Sequence, residues 1–241
     1  MNLEAIVDEL KKPSFHNFDR VELMKHYQEP VTRYLGFHLP DGIPGNDYAN
    51  IKMKGIIKLV NWAQFTSVLH INPFLGFLWK ATVKMGILPV KGYDYFFDGK
   101  GAMNWELFRW IPFMKADGPD VSRSGEGRTL LESSFLPHAL INPAVKWDVI
   151  SDNEITATWK IFREEAPLHF RIGDDGSLKE ITMMRWGNPG DNKIWDYHVF
   201  GVGIEQEAKV KGVVIPVKGN AGWWYGTDNY RDGEFFRFEV K

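Results

Sequence analysis

The chain has no cysteine among its 241 residues. Disulfides, thiolate nucleophiles and Cys-ligated zinc are therefore excluded. It also lacks an excess of either charge. Twenty-nine Lys and Arg stand against 31 Asp and Glu, a formal net charge of −2, so it carries no basic footprint for nucleic acid. No apolar run is long enough to span a bilayer. Residues 1–10 carry Glu4, Asp8 and Glu9, unlike the basic start and unbroken apolar core of a signal peptide. These absences predict a cytoplasmic location. The seven His are scattered, without the His-x-x-x-His or His-Glu-x-x-His spacing of a metal site, so no metal is expected. Gly-x-Ser-x-Gly, a dinucleotide fingerprint and a phosphate loop are all missing, which disfavours covalent catalysis and nucleotide cofactors. No cofactor is expected.

What the chain has in quantity is aromatic surface. Aromatics make up 15% of it, with ten Trp. That points either to an aromatic-lined cavity or to a Trp-rich β core. The length suits one large β domain or two small ones. No linker, repeat or low-complexity segment divides it, so one domain is expected, with a helical N-terminal extension over 1–50 and a barrel-like unit over 51–241.

Within 1–50, Leu3, Ile6, Val7 and Leu10 share one helical face, and Pro13 stops that helix. Asn17 or Asp19 is placed to cap a second. Pro30 suits the first turn of a third, through Val31, Tyr34 and Leu35, closed by Gly36. From Ile51 the pattern alternates with period two, as half-buried strands do. Phe77, Trp79, Ala81, Val83 and Met85 share a face, and Ile155, Ala157, Trp159 and Ile161 repeat the pattern, as do Leu168, Phe170 and Ile172. Hairpin signals fall at Asp174-Asp175-Gly176, Ser151-Asp152-Asn153 and Lys218-Gly219-Asn220. Gly201-Val202-Gly203 suggests a bulge or bend. The last strand is expected near Phe235 to Val240. Many strands and few helices predict a mainly β fold, a strongly curved antiparallel sheet or barrel around an apolar cavity.

The stretch 124–137 interrupts the strands. Leu130, Leu131, Ser134 and Phe135 have helical spacing, Ser124 can cap, and Pro137 ends the run. Arg128 and Glu132 are then i,i+4 neighbours. This segment is mostly apolar, yet it carries Arg128, Glu132 and, just beyond, His138. A buried carboxylate must be paired or protonated. Glu132 is thus either half of a structural ion pair or a tuned acid.

Longer motifs carry a resemblance. They are Glu29-Pro30-Val31-Thr32-Arg33-Tyr34-Leu35, Pro73-Phe74-Leu75-Gly76-Phe77-Leu78-Trp79-Lys80-Ala81 and Asp94-Tyr95-Phe96-Phe97-Asp98-Gly99-Lys100-Gly101-Ala102-Met103. Gly127-Arg128-Thr129-Leu130-Leu131-Glu132, Pro137-His138-Ala139-Leu140, Trp147, Asp175-Gly176, Arg185 and Val214-Ile215-Pro216 follow. In order and spacing the chain resembles the uncharacterised bacterial family DUF6544, also met as DUF6920-like proteins. The resemblance covers most of the chain after Glu29. It implies the curved sheet of lipoprotein-carrier proteins, which hold lipid against inserted helices, and no known activity. His138 stands where the family pattern leads one to expect a small hydroxyl residue.

The function expected from the residues is binding of an apolar small molecule in an aromatic-lined cavity. Conversion by cofactor-free acid/base chemistry (isomerisation, cyclisation or dehydration) is the leading expectation. A non-catalytic lipid or hydrophobic-ligand carrier or sensor is the alternative. Glu132 would move protons, with His138 as a second titrating group and Arg185 holding an anionic part of the substrate. The bland readings are an exposed Arg128–Glu132 pair, a structural His138 and a structural ion pair for Arg185. Asp94, flanked by Tyr93 and Tyr95, suits a strand-end cap or a place in the ligand site. Trp62, Phe65, Phe77, Trp79, Tyr93, Trp159, Met183, Tyr197 and Trp224 are the candidate wall. Strand register decides which of Tyr197 and His198 faces inward. The apolar stretch 105–114 suggests a lid or a homodimer contact ahead of a membrane role.

Overall fold

A computed structural model describes residues 2–13, 20–39, 47–86, 88–107, 111–190 and 194–241. The candidate caps Asn17 and Asp19 lie outside this set. Helix α1 (Leu3–Leu10) is capped by Asn2, whose Oδ1 accepts from the Glu4 N–H at 3.0 Å. Helices α2 (Arg20–Met24) and α3 (Glu29–His38) follow. Pro30 sits in the first turn of α3, but Gly36 lies inside the helix rather than closing it.

Six strands form a meander: β1 (Ala49–Lys58), β2 (Trp62–Asn72), β3 (Gly76–Met85), β4 (Leu88–Phe97), β5 (Lys100–Leu107) and β6 (Ile111–Asp117). Helix α4 (Pro119–Glu132) and two 3-10 turns (Ser133–Phe135, Ala139–Ile141) carry the chain to a second meander. That meander runs through β7 (Lys146–Ser151), β8 (Glu154–Thr158), β9 (Leu168–Ile172), β10 (Leu178–Gly187), β11 (Asp196–Val210), β12 (Val213–Trp223), the short α5 (Tyr230–Gly233) and β13 (Glu234–Val240). The last strand pairs with the first strand of the other meander, β1. One antiparallel sheet of 13 strands results, in the order β6-β5-β4-β3-β2-β1-β13-β12-β11-β10-β9-β8-β7. The sheet is curved but not closed, so the barrel alternative is corrected to an open form. β6 and β7 are its two edges, and α4 packs on β10 of one half and on β3, β4, β5 and β6 of the other.

Alternation sets the two faces. Phe77, Trp79, Ala81 and Val83 of β3 and Leu168, Phe170 and Ile172 of β9 are buried in one main core. Leu130, Leu131, Phe135, Leu136 and Leu140, from α4 and the turns after it, fill the same core. On the opposite face a small second core joins Ile6 and Leu10 of α1 to Leu78, with Tyr93, Tyr95 and Phe97 packed beside them. Helix α3 is tied down by fully buried His38, whose Nε2 lies 2.6 Å from Glu207 Oε1 and whose Nδ1 lies 2.7 Å from the Tyr34 carbonyl.

The inserted helix begins earlier than Ser124. Gly118 is its N-cap and Pro119 occupies its first turn, where a missing N–H is harmless. The helix sits directly on the sheet. A Cβ on Gly125 would lie 2.9 Å from Phe96 Cβ, and one on Gly127 would lie 3.0 Å from Arg185 Cγ. The two glycines that spoil helix propensity are therefore what permits the close approach. Two turn expectations also change. Lys218-Gly219-Asn220 lies within β12, and the hairpin turn is Lys211-Gly212, with φ of 48° and 94° as a primed turn requires. Gly201-Val202-Gly203 is regular strand, and the register shifts of β11 fall between Ile204 and Glu207. Gly201 is small because the Tyr225 ring lies where its Cβ would be.

Candidate functional site

Four charged side chains meet where the last turn of α4 crosses the inner face. Arg128 Nη1 donates to Asp94 Oδ2 and its Nε to Glu132 Oε1, both at 2.8 Å. Asp94 is buried mid-strand in β4, and its Oδ1 accepts from the Trp105 indole N–H at 2.8 Å. The strand-end cap expected for Asp94 is thus wrong. Register places it inward with Phe96, while Tyr93 and Tyr95 join the opposite face. The Arg128 and Glu132 side chains are only 19% and 20% exposed. They form part of a shielded triad with Asp94, not an exposed i,i+4 pair.

Burial pushes the Asp94 and Glu132 carboxyls above the usual carboxylate range, against the pull of Arg128. For Arg128 burial works against the charge, but its two carboxylates more than offset that and hold it above its ordinary value. Glu132 Oε2 is buried and has no hydrogen-bond partner among the described residues, an unsatisfied acceptor in a low-dielectric site.

Arg185, on β10, packs against Gly127 of α4 and is 9% exposed. Its Nε donates to the Ser124 carbonyl and its Nη2 to Ser124 Oγ, both at 3.2 Å. The fields of Glu132 and Asp94 reach it, but among the described residues no carboxylate lies within ion-pair distance. Burial, then repulsion from Arg128, pulls its pKa down to about 9. Its guanidinium stacks 4.8 Å above the Phe200 ring and 5.0 Å above Trp223. Arg128 stacks likewise on Phe77 and Trp79, at 4.5 and 4.9 Å.

A continuous ribbon of rings joins these two cations. Trp105, Trp79, Phe236, Phe235, Phe200 and Trp223 follow one another with centroid separations of 5.5, 6.1, 6.5, 6.0 and 4.9 Å. Phe235, Phe236 and Trp223 are only partly buried. A second polar cluster clamps α4 from its other flank. Glu126 Oε2 accepts the backbone N–H groups of Arg163 and Glu164 at 2.9 and 2.8 Å. Glu164 in turn accepts from Arg123 Nε at 2.6 Å and from Tyr197 Oη at 3.0 Å. These contacts tie the 161–164 turn to the helix and, through Tyr197, to β11.

Of the residues singled out by sequence, Glu132, Asp94, Arg185, Phe77 and Trp79 come together. Met183 is buried beside Gly127. Phe65 stacks on Phe236 at 4.8 Å and supports the ribbon. Trp159 is 2% exposed with its indole N–H on the Pro73 carbonyl, and it is core filler. Tyr93 faces the other side, Tyr197 serves the clamp, and Trp224 is a positive-φ turn residue (φ 56°). Trp62 is 39% exposed, under the Arg237 guanidinium at 4.9 Å. His138 is half-buried and opens the second 3-10 turn. In the stretch 105–114, Trp105 is buried in the site, Ile111 and Phe113 are exposed on edge strand β6, and 108–110 lie outside the described residues. Sequence reasoning missed Phe200, Phe236 and Ser124. The last strand is expected near Phe235 to Val240 with no facing assigned to Phe236, and nothing in the chain links Ser124 to a residue 61 positions later.

The fold and site define a class: an open, curved antiparallel sheet with a helix lying on a charged, aromatic inner face. The chain belongs to DUF6920, a family of unknown function whose model matches residues 28–241. The match is to DUF6920 and does not confirm the resemblance to DUF6544. None of the curated proteins matches the chain. Among solved structures, the chain is similar to a putative outer membrane lipoprotein-sorting protein domain from Vibrio parahaemolyticus. The identity is 7%, 92% of each chain is covered, and the TM-score is 0.41. Likeness at that level carries no statement about activity. No helix among the described residues is long and apolar enough to cross a membrane.

Proposed function

We propose that the inner face binds an amphipathic small molecule and holds it without converting it. The anionic end of the ligand pairs with Arg185, and its apolar body covers Trp223, Phe235 and Phe236. One observation carries this reading. Arg185 is a nearly buried guanidinium whose hydrogen bonds go to uncharged Ser124 oxygens at 3.2 Å, and a desolvated cation of that kind is matched by an anion. The carboxylates nearby are both engaged by Arg128, which leaves the anion to come from a ligand. Carriage ranks ahead of catalysis because Glu132 Oε1 is committed to that ion pair.

The test is a titration with a fluorescent anthroyloxy-labelled fatty acid and with its methyl ester. Arg185→Met is expected to weaken the acid about tenfold to a hundredfold, the worth of a charge-assisted hydrogen bond, and to leave the ester unchanged. Equal loss for both probes, or no binding by the wild type, overturns the proposal. Proton transfer by Glu132 is the second reading, favoured by its Oε2, which has no partner among the described residues. For it, Glu132→Gln keeps the probe bound and abolishes conversion of any ligand that co-purifies.

A further inference from the structure

The face opposite the ring ribbon has a feature of its own. An open groove of about 890 Å³ runs beside α1 over the outer side of β1 to β5. Strand register makes its floor regular. One cross-strand row reads Lys52, Val68, Lys80, Tyr93 and Asn104. The next reads Lys54, Thr66, Thr82, Lys91 and Glu106. At a strand spacing of about 4.8 Å the rows are ~19 Å long, and residues two apart on a strand set them ~7 Å from each other.

Charge along these rows is uneven. Lys54 is paired with Glu239 at 2.8 Å. Among the described residues, Lys52, Lys80 and Lys91 have no carboxylate within ion-pair distance. Lys241 also lines the groove beside Lys52, to whose carbonyl its N–H donates. The single acid on the floor, Glu106, lies opposite Lys91 in the ladder and accepts from Asn104 Nδ2 at 3.3 Å. The groove thus places Lys52, Lys80, Lys91 and Lys241 beside one acid, Glu106, on a chain whose net charge is −2.

We propose that this groove binds an extended acidic oligosaccharide, a chain of uronate-type sugars. Lysines in two parallel rows suit carboxylates repeated along a chain. Between them stand Thr66, Thr82 and Asn104, which hydrogen-bond hydroxyls, and the half-buried Tyr93, which offers a phenol and a ring. Lysines and hydroxyls spread along the whole floor favour a repeating sugar over a lipid, whose charge sits at one end. One aromatic residue is too few for the successive base stacking that single-stranded nucleic acid uses. The site lies on the opposite face from Arg185 and does not depend on the proposal made for it.

Calorimetry of the whole chain with a galacturonate hexamer tests the proposal, with cellohexaose and inorganic polyphosphate as comparisons. The hexamer is expected to bind with an affinity that falls as salt rises. Lys80→Gln combined with Lys91→Gln is expected to weaken it at least tenfold, with an unchanged melting temperature. Arg185→Met is expected to leave it unaffected. No binding of the hexamer overturns the proposal. So does polyphosphate binding as tightly as the hexamer, which would reduce the groove to a charge patch. Unchanged affinity in the double lysine variant overturns it as well.

Discussion

Replacing Arg128 by Leu isolates the triad most directly. The substitution removes two charge-assisted hydrogen bonds, to Asp94 and Glu132, each 2.8 Å long and each worth about 1.5–3 kcal/mol. Leu keeps contact with Phe77 and Trp79, so the lost stacking is largely replaced by apolar packing. Two buried carboxylates are left without their cation. Breaking a buried pair from one side typically costs about 3–5 kcal/mol, which agrees with the bond count. For a domain of this size, about 4 kcal/mol lowers the melting temperature by roughly 8–16 °C. The pH dependence follows from the direction of the shifts. Asp94 and Glu132 already titrate above their ordinary values because of burial, and without Arg128 they rise further. Between the unfolded and folded pKa values the folded state binds more protons than the unfolded one, so stability falls as pH rises through that window. The penalty of Arg128→Leu should therefore be larger at pH 8 than at pH 5, as urea unfolding at both values measures. A loss under about 1 kcal/mol, the range of exposed pairs, or a loss independent of pH, refutes the picture of a shielded triad.

Two further substitutions test the frame that holds the site. His38→Ala strips Glu207 Oε1 of its 2.6 Å partner, while Oε2 keeps the Leu178 N–H. A loss of about 3 kcal/mol is expected in thermal unfolding, and Glu207→Gln should lose less because it leaves no buried charge. A loss below about 1 kcal/mol, the range of exposed pairs, would show that α3 is not anchored there. Gly125→Ala should destabilise the protein even though alanine gains about 1 kcal/mol in helix propensity. Its Cβ would lie 2.9 Å from Phe96 Cβ, and the helix must lift off the sheet. A raised melting temperature would show that α4 is seated less closely than described.

Much of the fold is legible because period-two alternation is a local signal. Leu168, Phe170 and Ile172 read as one buried face and are one, and Asp174-Asp175-Gly176 reads as the turn after β9, which it is. Errors arise where a local signal competes with a tertiary one. Lys218-Gly219-Asn220 carries turn chemistry, but Gly219 is needed because its Cβ would meet the Gly203 carbonyl and the Phe238 ring. The start of α4 is hidden because its inward face is built from glycine and polar residues rather than from an apolar stripe. Closure is illegible altogether. Whether a six-strand and a seven-strand meander seal into a barrel depends on edges β6 and β7, and no local pattern reports on their meeting.

The charged site is legible only in pieces. An i,i+4 spacing brings Arg128 to Glu132, but it cannot distinguish an exposed pair from a shielded one. The difference is made by Asp94, 34 residues earlier, because β4 runs under the helix with that residue turned inward. Once shielded, the triad engages two acids through one cation. Arg185 feels the field of both acids but makes no ion pair of its own among the described residues. A buried ion network is weak evidence for stability, since apolar replacements of similar volume are often neutral or better. A lone guanidinium stacked on Phe200 and Trp223 is weaker still, because a Met would pack on those rings without any desolvation cost. Stability therefore gives little reason for a charge at position 185, and the proposed recognition of an anion supplies one. The same reasoning separates the two faces: inside, one unmatched cation beside rings suits a single anionic head with an apolar body, whereas outside, several spaced lysines among hydroxyls suit a repeating one.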